Sequence, residues 1–350
     1  MKGIVANIDV KQFSSDKILG HLDRIDGWIK NGISKPITFE LDMTNYCNHK
    51  CPTCCGFYDK ENKDKLSYKD AEKIIFQIRK IGGKAITFTG GGEPLCNKIT
   101  LKAVKYACYL GLDVGFITNG TFIDTEVSRV LLRHCTWIRV SLDASSPEFF
   151  NYTHGMDKDT YDRVLDGIKI LVKDKKELGL TTTIGIGYLT SLDRVKEIYS
   201  FALLCKELGV DYTQFRPLLS FDNQNQDEVI KEIERSLTLS EGNFQVLYSK
   251  HKYDSMNDIT RPYDKCYGHH FATVISANKK VYICCHMRGI EKYCIGDLSK
   301  NTLKEIWNSE ERKKVYESID LKECIPLCRC NTFNTVLWNI KQEKIHGNFL

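Results

Sequence analysis

An α/β fold built on a parallel sheet is predicted by three observations. Six strand-like runs alternate with helix-like stretches between residue 37 and about residue 217, the order that gives βα units joined by right-handed parallel connections. The helix-like stretches are amphipathic and stop at glycines, as helices packed on one face of a sheet do. At 350 residues, with 42% apolar and 27% charged side chains, the chain is too long for one average domain and has the composition of a globular protein with a sizeable core. Pattern alone does not separate a partial barrel from an open doubly wound sheet.

Residues 1–36 read as an N-terminal extension with an amphipathic helix whose apolar face is Ile18, Leu22, Ile25 and Trp28. Residues 37–42 alternate apolar and polar side chains, the period of a strand,. Ser67 and Asp70 form a capping-box arrangement, Ile74, Ile75, Ile78 and Ile81 give the following helix its stripe, and Gly82 and Gly83 stop it,. The second strand, 85–89, runs into Gly90, Gly91, Gly92, Glu93 and Pro94. A helix over about 99–110 stops at Gly111, and a third strand, 114–118, ends in Asn119 and Gly120. Strands four to six fall at 137–143, 182–188 and 210–215, with helices over about 159–178 and 192–208 that end at Gly179 and Gly209. Residues 218–261 are polar over 222–227 and helical over 228–237, and read as a linker to a second module at 262–350.

The formal charge of +5 is small for this length and gives no nucleic-acid footprint,. No apolar run approaches the roughly 18 residues needed to span a bilayer, and the first ten residues lack the design of a signal peptide,. A cytoplasmic protein without membrane or nucleic-acid partners is the expectation. Fifteen cysteines are an odd and high number, which in a reducing compartment argues for metal ligation over disulfides. They fall into two groups, from Cys47 to Cys55 and from Cys266 to Cys330. Cys96, Cys108, Cys135 and Cys205 lie between them among apolar neighbours, as small buried hydrophobes do,.

Cys47, Cys51 and Cys54 form a CxxxCxxC loop directly after the first strand. Three thiolates within one turn can hold three irons of a [4Fe-4S] cluster and leave the fourth open to an outside ligand. The same shape could hold zinc, with Cys55 or His49 completing a tetrahedral set,. The loop is followed, after the second strand, by the run Gly90 to Pro94. In that order and separation the two motifs resemble the radical S-adenosylmethionine (radical SAM) superfamily, with its cluster loop after the first barrel strand and its GGEP-type motif after the second. The resemblance implies a partial (β/α)6, TIM-like barrel spanning 37–217. It implies that Cys47, Cys51 and Cys54 hold a [4Fe-4S] cluster whose open iron is chelated by S-adenosylmethionine, and that one-electron cleavage of this cofactor yields a 5′-deoxyadenosyl radical able to abstract hydrogen. Gly90, Gly91 and Gly92 would let backbone approach the cofactor, and Glu93 would accept from its ammonium group. Asn119, Ser141 and Asp143 occupy positions whose family counterparts contact the ribose or the carboxylate; as plain structure, Asn119 and Gly120 make a turn and Asp143 a helix cap. Ile186 with Gly187, and Arg216, resemble positions beside adenine and the methionine carboxylate. Many members carry an aromatic residue just before the third cysteine, where this chain has Thr53.

A second resemblance covers about 262–335. Cys266, the pair Cys284 and Cys285 after Lys280, Val281, Tyr282 and Ile283, the run Ile295 to Leu298, the run Thr302 to Trp307, and Cys324, Cys328 and Cys330 look like the auxiliary-cluster modules called SPASM and twitch. A small C-terminal α+β domain with one auxiliary iron-sulfur cluster, of the [4Fe-4S] type, follows from that likeness, because the full SPASM cysteine pattern is missing and too few cysteines remain for two clusters. The expected ligands are Cys266, Cys284, Cys324 and Cys328, with Cys285 and Cys330 as alternates. A zinc ribbon is the competing reading, in which His269, His270 or His286 could be ligands.

The functional expectation is a radical SAM oxidoreductase that dehydrogenates or epimerises a small polar substrate of sugar or aminocyclitol type, with flavodoxin or ferredoxin as reductant. A maturase that crosslinks or epimerises a ribosomally made peptide is the alternative, and a non-catalytic iron-sulfur or zinc protein the third. The short N-terminal extension offers no obvious peptide-recognition domain, which favours the small molecule.

Overall fold

Alternation along each strand decides which side of the sheet a residue takes. A 3-10 turn, Ser15–His21, leads into helix α1 (Leu22–Asn31) and then into β1 (Thr38–Asp42) of a computed structural model that describes residues 15–54, 62–219, 226–257 and 260–343. Phe39 and Leu41 of β1, Ile86 and Phe88 of β2 (Ala85–Thr89), Val114 and Phe116 of β3 (Asp113–Thr118), and Ile138 and Val140 of β4 (Trp137–Ser141) all enter one hydrophobic core. Ile184, Ile186 and Tyr188 of β5 (Thr183–Thr190) and Phe215 of β6 (Tyr212–Pro217) extend it. The residues between them face the other side, the lumen of a partial barrel. Strands β1 to β6 pair in sequence order and in parallel.

The crossover helices cover the core side. Helix α2 (Tyr68–Ile81) begins where Ser67 accepts a hydrogen bond from the Asp70 backbone N–H and donates its hydroxyl to Asp70 Oδ2 at 2.7 Å. It ends at Gly82, whose φ of 102° is the left-handed conformation that glycine adopts without a Cβ clash,. Helices α3 (Thr100–Tyr109), α4 (Thr125–His134), α5 (Pro147–His154), α6 (Lys158–Glu177) and α7 (Ile198–Leu208) follow. The stretch expected to be helical from residue 192 opens as a 3-10 turn, Leu192–Glu197.

The expected linker is built as sheet and helix. Helix α8 (Asp227–Leu237) leads to β7 (Gln245–Tyr248), which pairs in parallel with β6, and helix α9 (Lys250–Asn257) follows. The C-terminal module likewise continues the barrel sheet. Strand β8 (Ala272–Ile275) pairs in parallel with β1 at the opposite edge, and β9 (Lys280–Tyr282) and β10 (Cys294–Asp297) add antiparallel strands, giving a 10-stranded sheet. Helices α10 (Leu303–Trp307), α11 (Glu310–Glu317) and α12 (Asn331–Lys341) complete it. Among the described residues no helix is long and apolar enough to cross a membrane.

The N-terminal helix packs against this module. Ile18, Ile25 and Trp28 share a second cluster with Tyr263, Tyr267, Phe271 and Leu337, and the Trp28 and Tyr267 rings meet edge-on with centroids 5.1 Å apart. Leu22, expected on the same face, is 67% exposed. The 3-10 winding before it turns each residue further than an α-helix does, so the stripe read at α-helical spacing loses phase there.

Candidate functional site

The loops after β1 and β2 are zipped together. Gly92 N–H donates to Thr44 O at 3.0 Å and Glu93 N–H to Tyr46 O at 3.0 Å. The crossing is so close that a Cβ on Gly92 would sit 2.0 Å from Tyr46 O, and one on Gly90 would sit 2.9 Å from Gly92 O. Gly92 is therefore required by contact between the two loops, and Gly90 by the tight turn of its own loop. Gly91 N–H is near enough to the buried Asp42 carboxylate to favour its charged form.

Glu93 joins the ends of β2 and β3. Its Oε1 accepts from the Thr118 hydroxyl at 2.7 Å and Leu95 N–H at 3.1 Å, and its Oε2 from Asn119 N–H at 2.7 Å. Burial nevertheless lifts its pKa to about 7,. A cofactor ammonium would thus meet a carboxylate already held by three internal donors. Asn119 turns its amide to Asn48 Oδ1 at 2.8 Å, with Cys47 Sγ 3.9 Å away. Cys96 departs from the expectation of a core residue. Its thiol approaches Asn48 Oδ1 at 3.6 Å, and its pKa rises to about 12 through burial and the nearby Glu93 and Cys47.

Cys47 and Cys54 are exposed and Cys51 half-buried, all as free thiols. Partial desolvation inside the loop lifts Cys47 to about 11 and Cys51 to about 12, and neighbouring thiols add to both shifts. Three soft donors gathered in one loop are a set a cationic iron centre completes. Cys55 lies outside the described residues. His49 is buried and turned to protein partners, with Nδ1 3.1 Å from His154 Nδ1 and Nε2 2.7 Å from Thr121 Oγ1.

A second layer behind the loop was not foreseen from sequence. His154 Nδ1 lies 3.4 Å from Cys51 Sγ and its Nε2 lies 3.5 Å from Asp143 Oδ2. Asp143 also accepts from Leu189 N–H at 2.6 Å and holds a φ of 49°, uncommon for a residue with a side chain,. It is not a helix cap: Ser146 caps α5. Arg194, almost fully buried, reaches Thr53 Oγ1 at 3.3 Å. Ser141 is half-buried at the end of β4, in register with Gly187. The Ile186 side chain is in the core, on the helix side of β5, so only its backbone and the neighbouring Gly187 are presented to the lumen. Arg216 faces that lumen together with Arg139, which the sequence reading passed over.

The C-terminal cysteines converge. The ionisation of Cys266 and of Cys324 feels both Cys284 and Cys328, and that of Cys284 feels Cys328. The alternates stand beside them, Cys285 hydrogen-bonded to Cys284 and Cys330 to Cys328. Asn334 Nδ2 lies 3.7 Å from Cys266 Sγ. His269 and His270 are buried against Arg312, the Arg312 Nη2 being 3.1 Å from His269 Nδ1. The group is fastened to the barrel by ion pairs. Arg288 Nη2 meets Glu40 Oε2 at 2.6 Å, Arg288 Nε meets Asp42 Oδ2 at 3.1 Å, and Arg329 binds Glu40 Oε1. Glu40 and Asp42 belong to β1, the strand that enters the first cysteine loop, so one buried network fixes both cysteine groups relative to each other.

Known sequences and structures agree with this geometry. The sequence model of the radical SAM superfamily matches residues 41–202, and that of the SPASM iron-sulfur cluster-binding domain matches residues 266–331. The chain belongs to the radical SAM superfamily. It carries a C-terminal SPASM domain, and its cofactors are the S-adenosylmethionine-binding [4Fe-4S] cluster and an auxiliary iron-sulfur cluster. The AdoMet-dependent heme synthase of Methanosarcina barkeri (strain Fusaro / DSM 804) is 25% identical over 320 residues, 84% of this chain and 88% of that protein. Other curated relatives are matched over about half of their own length or less. Among solved structures, Streptococcus suis SuiB bound to its precursor peptide SuiA is similar with a TM-score of 0.67 and 16% identity, over 87% of this chain and 72% of SuiB. The anSMEcpe structure with bound AdoMet is similar with a TM-score of 0.60 and 16% identity, over 84% of this chain and 88% of that one. At these identities the structural likeness bears on the fold.

Proposed function

We propose that this radical SAM protein is an oxidoreductase that removes hydrogen from a small polar substrate held in the barrel lumen between its two cysteine groups. The observation that carries the reading is the position of Lys252 on α9, which feels Arg216 and Arg139 of the barrel wall on one side and Cys285 and Cys328 of the C-terminal group on the other. The C-terminal cysteine group therefore borders the wall that carries Arg139 and Arg216. When bound, the first cluster and S-adenosylmethionine supply the hydrogen-abstracting radical, and the auxiliary cluster supplies a nearby one-electron acceptor. Cys47, Cys51 and Cys54 hold the first group, with Asn119 and Glu93 bracing their loop. Cys266, Cys284, Cys324 and Cys328 hold the second, Cys285 and Cys330 being the neighbours that could replace a member. The name of the heme synthase relative, which is AdoMet-dependent, supports the same cofactor use.

Dehydrogenation fits the electron acceptor that the second cysteine group would supply, whereas an epimerase needs a thiol outside the cluster set to return hydrogen. Among the C-terminal cysteines, Cys294 stands apart from the cluster set, with its thiol turned to Gly296 O at 3.5 Å. Candidate sugars, organic acids and peptides, each incubated with the reduced enzyme in deuterated buffer, test the reading. Substrate-dependent 5′-deoxyadenosine release with an oxidised product free of carbon-bound deuterium supports it. An epimer carrying one deuterium, or turnover of peptides alone, overturns it.

A further inference from the structure

The lumen carries its charges unevenly. On the β1 wall Glu40 and Asp42 are matched by Arg288 and Arg329. On the wall formed by β4 to β6 the balance is missing. Among the described residues, the side chain of Arg139 makes one hydrogen bond, from Nη1 to Gln214 Oε1 at 3.3 Å, and the buried Nε atoms of Arg139 and Arg216 have no partner. The acid that Arg139 feels is Asp143, whose oxygens are taken up by Leu189 N–H at 2.6 Å and His154 at 3.5 Å.

The two guanidiniums also oppose each other. Burial and then Arg216 push the Arg139 pKa down to about 9, and burial, Arg216 and Arg139 push Lys252 down to about 8. Like charges gathered away from water are unfavourable unless an anion completes them. Gly187 leaves both side chains uncovered on the lumen side. A Cβ on Gly187 would lie 3.6 Å from both Arg139 Cδ and Arg216 Nη2, so the glycine leaves open a methyl-sized space beside both side chains. Beneath it Gly185 admits the Tyr212 ring, which a Cβ would strike at 2.0 Å, and the ring closes the floor.

We propose that Arg139 and Arg216, with Lys252 at the edge, bind a carboxylate or phosphate group of the substrate. Planar guanidinium forks match the two oxygens of such a group by paired hydrogen bonds. The inference rests on the lumen being the substrate chamber, and it narrows the substrate to an oxyanion-bearing molecule. An aminocyclitol ammonium would be repelled here. The carboxylate of S-adenosylmethionine is the competing occupant. Against it stands the direction of the cluster, since Lys252 joins the guanidiniums to Cys285 and Cys328 of the C-terminal group.

Calorimetric titration of the fully reconstituted enzyme with citrate and, separately, inorganic pyrophosphate, each with S-adenosylmethionine at saturation, tests this. At least one anion should bind the cofactor-loaded enzyme, citrate pointing to a carboxylate substrate and pyrophosphate to a phosphate. Arg139→Gln should weaken that binding at least about tenfold, from the loss of a charge-assisted bidentate pair, and change the cofactor affinity less than about threefold on the same scale. Lys252→Gln, at the edge of the site, gives a second measure if Arg139→Gln does not fold, and should weaken the same anion. Absence of anion binding by the parent enzyme overturns the proposal, and so does an anion displaced by the cofactor or a variant that loses cofactor affinity in its place. Reductant-driven 5′-deoxyadenosine release by the parent is measured alongside. Release without anion binding defeats this inference alone, whereas no release defeats the radical-enzyme reading beneath it.

Discussion

His154 Nδ1 lies 3.4 Å from the Sγ of Cys51, and the opposite nitrogen of the same ring lies 3.5 Å from Asp143 Oδ2. A ring held by a carboxylate and aimed at a cluster thiolate is a means of tuning the cluster, because hydrogen bonds to the sulfurs raise an iron-sulfur potential. His154→Leu should therefore lower the midpoint potential of the first cluster while leaving its iron content unchanged. Asp143→Asn should shift it the same way by less. Potentiometric titration followed by electron paramagnetic resonance checks both, and an unmoved potential in His154→Leu would reduce the ring to packing against Phe150, with which it stacks at 4.5 Å.

Arg288 is the link whose loss should be felt in both halves of the molecule. Its side chain is 6% exposed and those of its partners Glu40 and Asp42 are 12% and 0% exposed. Removing one member of a buried pair leaves an uncompensated charge and costs about 3–5 kcal/mol. Arg288→Met should lower the thermal midpoint by several degrees, and adding Asp42→Asn should recover part of the loss. Additive losses in the double variant would mean that the two side chains are not coupled.

Gly92→Ala tests whether the loops of β1 and β2 must touch. A Cβ 2.0 Å from Tyr46 O cannot be relieved by a side-chain rotation, since the struck atom is backbone. The loops should part, with a destabilisation of about 1–3 kcal/mol by the scale of overpacked sites and a loss of iron from the first cluster during reconstitution. Gly111→Ala is the control. There a Cβ meets nothing within 4 Å, and only the left-handed φ of 74° is strained. Equal iron content in the two variants would show that the crossing at Gly92 is not needed to shape the cysteine loop.

The barrel strands and both cysteine groups were legible because each is local. Alternation at Phe39 and Leu41, the Ser67 cap and the Gly82 stop are decided within a few residues, and the spacing of Cys47, Cys51 and Cys54 is itself the signal. What was missed depends on chain brought from elsewhere. The polar lead-in at 222–227 concealed β7, a four-residue strand recognisable from its pairing with β6. Cys96 looked like a core position until its partner Asn48 was in place, and nothing in the sequence pointed to His154 before Cys51 lay beside it. Two signals could have been used. Asp124 followed by Val127, Leu131 and Leu132 is a capped apolar stripe that announces α4, and an arginine at 139 in the middle of a buried strand is costly enough to ask for a ligand,.

Glu93 makes the stability of this fold depend on pH in an unusual direction for a carboxyl group. Its pKa rises from 4.5 to about 7 in the folded protein, burial being the leading cause and the bonds from Asn119, Thr118 and Leu95 opposing it. Between those two values the native state binds more protons than the unfolded chain, so the slope of unfolding free energy with pH is negative. The contribution is fully present below the unfolded value and is lost as pH rises through about 7. Glu93→Gln removes the titration and loses one acceptor position, a cost that does not change with pH. The variant should be clearly less stable than the parent at acid pH, and the gap should narrow as pH rises from about 5 to about 8, through the folded-state pKa,. Asp42, lifted to about 6 by burial, adds a slope of the same sign. It is common to both proteins and cancels in the difference. Thermal midpoints of the two proteins across that range decide the matter, and a constant gap would place the Glu93 titration outside it.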